Sequence, residues 1–207
     1  MPQPTHSDTR TALLQSAQRL IAERGLGTVS VKDITRAAGA RNPSAVHYHF
    51  GNLETLIKEV FIQRYRAIEA ERALRLAKVD EPDPARRLVA LMAAAIAPFM
   101  DCCLDEEGRL YVRFCLQFSS DPRFNLFELV TEYGMPSLLL LRAQVVECVS
   151  DIPENVVNAR LRQAFSIALV QAADYARQLE AGLQIAPDHA VSEAATTLAG
   201  YIRARIG

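Results

Sequence analysis

The feature that most constrains this chain is a set of helix start and stop signals between Val29 and Gly51. Ser30 is a good N-cap residue, and Asp33 three residues later can accept a hydrogen bond from the Ser30 amide, which completes a capping box. Gly39 follows apolar positions and suits the left-handed residue that often ends a helix. The pattern therefore predicts two short helices joined by a tight corner.

The second of these helices is predicted to run from Pro43 to His49. Asn42 can serve as its N-cap, and Pro43 fits the first helical position, where no backbone N–H is needed. A helix of this length is not stable alone, because few hydrogen bonds follow its unfavourable nucleation. We therefore expect Ala45 and Phe50 to pack inward and the polar side chains to face outward.

The outward side of this helix offers hydrogen-bonding groups of the kind that read base edges and hold phosphates in a DNA major groove. The basic residues beside it could be ordinary surface charges, but their position favours DNA contact. The candidate DNA-binding residues are Ser30, Lys32, Arg36, Arg41, Asn42, Ser44, His47, Tyr48 and His49.

Several of these residues also have a purely structural interpretation. Tyr48 and Phe50 are two positions apart on a helix, so only one of them can face the core. His49 lies near the helix end and could contact the carbonyl groups there. A metal site formed by His47 and His49 is not expected, because side chains at i and i+2 diverge.

This segment resembles the DNA-binding domain of the TetR (tetracycline-repressor) family of bacterial transcription regulators. The similarity runs from about Thr11 to Lys58. Its motifs are Ala22-Glu23-Arg24-Gly25, Val31-Lys32-Asp33-Ile34, Ala37-Ala38-Gly39, Tyr48-His49-Phe50-Gly51 and Leu56. The resemblance implies a homodimer formed through the last two helices, a palindromic double-stranded DNA operator and a small-molecule effector. The corner from Gly39 to Ser44 is one residue longer than the commonest family pattern.

Helical periodicity continues along the rest of the chain. The predicted fold class is all-α, with a three-helix DNA-binding domain that contains the helix-turn-helix in residues 1–52 and a larger helical domain for effector binding and dimerisation in residues 53–207. Pro98 predicts a kink or an early break in its helix. The first predicted helix has an inward stripe of Leu13, Leu14, Ala17, Leu20 and Ile21, and Asn52 is the predicted N-cap of the long helix that follows the corner. The predicted helices outside the corner are 9–24, 53–77, 86–104, 107–119, 124–149 with a bend at Gly134 and Pro136, 153–182 and 187–206.

The net charge of −1 hides an asymmetry between the two ends of the chain. Residues 1–66 hold nine Lys and Arg against five Asp and Glu, whereas the remainder holds 14 against 19. The positive end is the one with the predicted helix-turn-helix, as phosphate binding requires. Because the excess is small, one copy should bind DNA weakly, which favours two copies on one operator.

No signal peptide and no apolar stretch of about 18 residues is visible, so we expect a cytoplasmic location and no membrane contact. No catalytic, phosphate-loop or metal motif is present, so we expect neither an enzyme nor a bound cofactor or metal. Cys102, Cys103, Cys115 and Cys148 lack ligand-pair spacing and should be reduced. A redox or thiophilic-metal switch at Cys102-Cys103 stays a minor alternative, since adjacent cysteines cannot close a relaxed disulfide.

The resemblance also implies an effector cavity among the middle helices. Apolar residues there are core residues by default, but some would line a site for a largely apolar ligand. The candidate pocket residues are Met92, Phe99, Arg113, Phe114, Gln117, Phe118, Gln144, Phe165 and Gln171.

The last helix has a side of small and apolar residues, which would either approach a second copy or close the chain's own core. This side comprises Ala190, Ala194, Ala195, Leu198, Ala199 and Ile202.

The predicted function is a homodimeric transcriptional repressor that a small, largely apolar effector releases from its operator. A similar regulator that answers to a partner protein, or acts as an activator, is the first alternative, and a second domain packed without a cavity would favour it. An all-helical enzyme or small-molecule carrier is a remote alternative.

Overall fold

The computed structural model describes residues 6–40 and 42–204. Within these ranges the chain is helical and contains no β-strand, so the predicted all-α class is confirmed. A short 3-10 turn spans Leu26–Thr28. The helices are α1 (His6–Arg24), α2 (Val31–Ala37), α3 (Ala45–Phe50), α4 (Leu53–Leu76), α5 (Pro84–Cys102), α6 (Glu106–Ser120), α7 (Leu126–Tyr133), α8 (Pro136–Cys148), α9 (Glu154–Glu180) and α10 (Pro187–Arg203).

Helix α1 has one buried stripe. Leu13, Ala17 and Ile21 are each fully or almost fully buried, as their three- and four-residue spacing predicts. α1 packs against α2, against α4 and against α6, and α3 packs against α4. Each of the two short helices is therefore held by a longer neighbour, which a helix as short as α3 needs in order to persist.

The start of α3 differs from the prediction, which placed Asn42 as the N-cap and Pro43 as the first helical residue. The Asn42 side chain instead accepts a hydrogen bond from the Ser44 amide at 2.9 Å, and the Asn42 carbonyl accepts one from the Ala45 amide at 3.0 Å. Such a side-chain turn competes with helix formation. The helix therefore begins two residues later, at Ala45.

Two expectations for the middle helices, an early break at Pro98 and one bent helix over 124–149, were wrong. α5 continues past Pro98 to Cys102, and the residues around the proline are buried in the core. The predicted bent helix over 124–149 is two helices, α7 and α8. Gly134 between them has a φ of +64°, which ends one helix, and Pro136 occupies the first turn of the next.

The small-residue side of α10 is used within this chain. Ala195 and Ile202 are completely buried, and α10 packs mainly against α5 and also against α9. Of the two interpretations of this side, closing the chain's own core is the one that the structure supports. The opposite side of α10, with Ser192, Thr196 and Gly200, is exposed.

Among the described residues, no helix combines the length and the apolarity that crossing a membrane would need.

Candidate nucleic-acid interface and ligand cavity

The start of α2 is fixed by the predicted capping box. The Asp33 amide donates to Ser30 Oγ at 3.2 Å, and the Ser30 amide donates to Asp33 Oδ2 at 3.2 Å. The Ser30 hydroxyl also donates to that carboxylate, and these hydrogen bonds lower the pKa of Asp33. The prediction of a capped helix start at this point is confirmed.

Helix α3, which the sequence predicts to read DNA and which we call the reading helix, has one aromatic side chain in the core and another in solvent. Phe50 is 6% exposed, and Ala45 and Val46 are buried, whereas Tyr48 is 68% exposed. The expectation that only one of Tyr48 and Phe50 faces the core is confirmed. A large exposed aromatic ring on a helix of six residues is available for contact with another molecule.

The two histidines of α3 differ in their surroundings. His47 is exposed, and its Nδ1 lies 2.5 Å from the carbonyl oxygen of Gly51 at the helix end. His49 is half-buried between two aromatic rings, with ring centroids 5.1 Å from Tyr48 and 6.2 Å from Phe50. His47 thus makes a contact with a terminal carbonyl group of the kind that the sequence allowed for His49.

The remaining candidates for DNA contact are exposed where they are described. Lys32 and Arg36 lie on the exposed part of α2, and Arg36 forms an ion pair with Asp33 at 2.8 Å. Asn42 and Ser44 lie in the exposed turn before α3. Arg41 lies outside the described residues.

Helix α4 connects α1, α2 and α3, which together we call the reading unit, with the rest of the protein. Asn52 accepts a hydrogen bond from the Thr55 amide at 2.8 Å and caps the helix, as predicted. α4 packs on α1 and α3, and it also packs on α5 and α8, where Arg72 contacts Ala95 and Ser137. One continuous helix of 24 residues therefore contacts both the reading helix and the second half of the molecule.

A cavity of about 290 Å³ lies at the far end of α4. Its walls are formed by α4, α5, α8, α9 and α10, and most of them are apolar. Among the candidate pocket residues, Met92, Phe99 and Phe165 line it. The full lining is Arg72, Met92, Ala95, Ile96, Phe99, Leu138, Leu139, Leu141, Arg142, Asn158, Leu161, Arg162, Ala164, Phe165, Ala168 and Leu198.

Two aromatic candidates belong to a packed ring cluster instead of the cavity wall. Phe118 stacks on Phe61 with centroids 4.8 Å apart and on Phe124 with centroids 4.5 Å apart. Phe114 stacks on Phe118 at 5.8 Å. This cluster joins α4 to α6, so these rings stabilise the core between the two halves of the molecule.

The polar pocket candidates also lie away from the cavity lining. Arg113 on α6 pairs with Glu180 on α9 at 3.0 Å. Gln117 is exposed on α6, near Gly25 at the end of α1. The side-chain oxygens of Gln144 and Gln171 are buried and lack a hydrogen-bond partner among the described residues.

The sequence analysis missed Arg72, which lines the cavity although only 1% of its surface is exposed. Its Nη1 donates to the hydroxyl of Tyr65 at 2.8 Å and to Glu69 Oε2 at 2.9 Å. A signal was present: Tyr65, Ile68, Arg72 and Leu76 follow each other at helical steps, so the arginine lies in the apolar stripe of α4. An arginine in such a stripe must be paired inside the protein.

The four cysteines are reduced in the structure. Burial raises the pKa of the Cys103 thiol to about 12 and raises the pKa of its neighbour Cys102. A raised pKa keeps both sulfurs in the unreactive thiol form at neutral pH. No group of three or more His, Cys, Asp or Glu side chains that could hold a metal ion occurs in residues 6–40 and 42–204.

Comparison with known proteins gives a match at the amino-terminal end. Residues 13–60 match the model of a family described as bacterial regulatory proteins, tetR family. The HTH-type transcriptional repressor KstR2 of Rhodococcus jostii (strain RHA1) is 44% identical over 54 residues. That stretch covers 26% of this chain and 26% of the relative, so the similarity is confined to about a quarter of each protein.

Solved structures show that the similarity of fold extends over the whole chain. A putative tetR family transcription regulator from Shewanella sp. PV-4 matches with a TM-score of 0.64 at 16% identity, over 92% of this chain and 95% of that one. NalD from Pseudomonas aeruginosa, the secondary repressor of the MexAB-OprM multidrug efflux pump, matches with a TM-score of 0.60 at 22% identity, over 93% and 94%. Residues 13–60 therefore match the tetR family of bacterial regulatory proteins, and the fold of the chain is similar to that of solved regulators of this family.

Proposed function

We propose that the protein is a homodimeric repressor that binds a palindromic operator through α2 and α3 and leaves it when a small, largely apolar effector enters the cavity. The observation that carries the proposal is the arrangement of the two sites on α4. The exposed face of α3 lies at one end of this helix, and the cavity lies beside its other half.

The reading face is supported by the exposure of its side chains. Tyr48 and His47 point to solvent from a helix whose apolar residues are buried, so their exposure does not serve the core. Lys32 and Arg36 bring positive charge to α2 in the same domain. A helix presented in this way suits insertion into a major groove, with base contacts from the helix and phosphate contacts from its neighbours. The matched relative from Rhodococcus jostii is named a repressor, which supports repression of transcription over activation.

Dimerisation is supported by charge and by the outer faces of α9 and α10. The amino-terminal third has only four more positive than negative charges, which is few for tight binding of one copy. Val170 on α9 is 51% exposed, and Thr196 and Gly200 on α10 are also exposed. An exposed apolar residue on α9 and exposed small residues on α10 allow two helices of a second copy to approach closely. Two reading helices could then enter successive major grooves, about 34–36 Å apart.

The effector acts in this proposal by population shift. A ligand that fits the cavity better in one arrangement of α4 and α8 favours that arrangement by its difference in affinity for the two states. Because α4 also packs against α1 and α3, its position changes the spacing of the two reading helices. The alternative of a regulator that answers only to a partner protein would suit a second domain without a cavity, so the cavity supports the effector-binding form.

The proposal is tested by finding the operator and then titrating it. DNA fragments that the protein retains from a random pool should converge on a palindrome whose half-sites are about one helical turn or a small multiple apart. Gel-shift affinity should fall steeply with salt, as expected for phosphate contacts. Transcription from a promoter that carries the site should fall when the protein is added. Selection of sequences without two-fold symmetry, or activation of transcription, would contradict the proposal.

A further inference from the structure

We infer that the cavity takes an amphipathic anion: a small apolar body with a carboxylate or phosphate head. The regulatory meaning of this ligand rests on the proposed function, but its chemical class follows from the cavity lining alone.

The apolar body is indicated by the inner walls. Met92 and Phe99 of α5 and Phe165 of α9 line the cavity, and the rings of Phe99 and Phe165 are in edge-to-face contact with centroids 6.2 Å apart. Leu198 of α10 completes this part of the lining. A ligand portion placed here loses its contact with water and gains contact with apolar groups, which favours a hydrocarbon chain or ring.

The anionic head is indicated by the charges around the cavity. Among the described residues that line it, the charged ones are Arg72, Arg142 and Arg162, and none carries a carboxylate. Guanidinium groups bind carboxylates and phosphates through paired hydrogen bonds. A cationic ligand would find no carboxylate partner among these lining residues, so the lining selects against it.

The position of the head follows from the partners that these arginines already have. Arg72 is buried and bonded to Glu69, so its charge is balanced inside the protein. Arg142 Nε donates to Asn158 Oδ1 at 2.7 Å, and its other recorded partner is the exposed Glu154. An exposed ion pair contributes little, so a ligand anion can take the place of Glu154 at low cost.

Arg162 lies one helical turn beyond Asn158 on α9 and lines the same side of the cavity. Its guanidinium can approach a head group that Arg142 and Asn158 hold, because side chains four residues apart share a helix face. The head is therefore placed between α8 and α9, with the apolar body directed towards Phe99.

Four ten-carbon probes test this inference by isothermal titration of the full-length protein without DNA, below their aggregation concentrations. Decanoate and decyl phosphate carry the anionic head, decanol is the neutral control and decyltrimethylammonium is the cationic one. We expect the better anion to bind at least about tenfold more tightly than decanol, since charge-assisted hydrogen bonds are the stronger ones. The tighter binder of decanoate and decyl phosphate shows whether the natural head group is a carboxylate or a phosphate ester.

Two variants and one control locate the binding. Arg142→Gln combined with Arg162→Gln should reduce the anion affinity to that of decanol and leave decanol binding unchanged. Ala168→Phe, which fills the cavity, should weaken all the probes that bind. Arg177→Gln, on the exposed side of the same helix, should change nothing.

The inference would be overturned if decanol or the ammonium probe bound as tightly as the anions. It would also be overturned if the double variant kept its preference for anions, or if Ala168→Phe left the anion affinity unchanged. Operator release is measured separately. An anion that binds in the cavity without releasing DNA would contradict the proposed regulation but would still support the inferred ligand class.

Discussion

Glu69 on α4 accepts two hydrogen bonds from Ser137 at the start of α8. The Ser137 amide donates to one carboxylate oxygen at 2.6 Å, and the Ser137 hydroxyl donates to the other at 2.6 Å. A carboxylate from one helix thus caps the amino end of another, where unpaired N–H groups and the helix dipole favour negative charge. Because α8 forms one wall of the cavity, this contact joins the cavity to the helix that carries the reading unit.

Glu69→Gln should destabilise the fold. The change leaves the buried guanidinium of Arg72 without its carboxylate partner, and breaking a largely buried ion pair from one side costs about 3 kcal/mol. Urea unfolding followed by circular dichroism measures the free energy of unfolding. Glu71→Gln is the matched control, because Glu71 forms an exposed pair with Arg75 on the same helix and should lose less than about 0.5 kcal/mol. Equal losses of unfolding free energy in both variants would show that the buried ion pair stabilises the fold no more than the exposed pair does.

Tyr48→Ala should abolish tight operator binding without unfolding the protein. The side chain is exposed, so its loss removes a contact with DNA and leaves the core intact, with an expected weakening of at least about tenfold. Gel shift on the selected operator measures binding, and circular dichroism and sedimentation check helicity and dimerisation. Leu104→Ala, an exposed apolar residue remote from α3, is the control. Parental affinity in the Tyr48 variant would remove this residue from the interface.

Val170→Asp should produce a monomer if α9 and α10 pair with a second copy. A charge buried in an interface without a partner is unfavourable, whereas the same charge on a free surface is solvated. Leu74→Asp on α4 is the control. Leu74 is 58% exposed and Val170 is 51% exposed, so the control introduces the same charge at a similarly exposed apolar residue and should leave the assembly unchanged. Analytical ultracentrifugation distinguishes the two outcomes. A Val170 variant that sediments like the parent protein would place the dimer contact elsewhere.

The stability of the protein should fall in alkaline solution, and Cys103 should account for part of the fall. Its folded pKa of about 12 lies above the ordinary thiol pKa of 9.0, so the folded state keeps a proton that the unfolded state loses. The contribution is complete below pH 9 and decreases as the pH rises towards 12, by up to about 1.4 kcal/mol per pH unit. Cys103→Ala should reduce this slope, measured by urea unfolding between pH 8 and about pH 10.5. An unchanged slope would contradict the burial argument.

Gly108→Ala should prevent stable folding. A Cβ at this position of α6 would lie 1.8 Å from the carbonyl oxygen of Cys102, which is backbone and cannot rotate away. Gly27→Ala is the control, because a Cβ there meets no atom within 4 Å. Thermal unfolding compares the two variants with the parent. A Gly108 variant with the melting temperature of the parent would show that the backbone before α6 can move aside.

Local signals were sufficient where neighbouring residues alone decide the conformation. The capping box of Ser30 and Asp33, the cap at Asn52 and the buried spacing of α1 were all predicted and found. They failed where two local signals compete. Asn42 can either cap a helix or close a turn, and its neighbours Pro43 and Ser44 permit both, so the start of α3 could not be read from the pattern.

The sequence by itself determined the all-helical class, the capped helix-turn-helix and the choice of Phe50 over Tyr48 for the core, because each depends on residues within a few turns of one another. Only the tertiary structure decided which side chains line the cavity. Phe114 and Phe165 have the same character in the sequence, yet one lies in the ring cluster and the other on the cavity wall. That difference depends on how helices that are distant in the chain cross, and the crossing cannot be predicted from side-chain type and spacing.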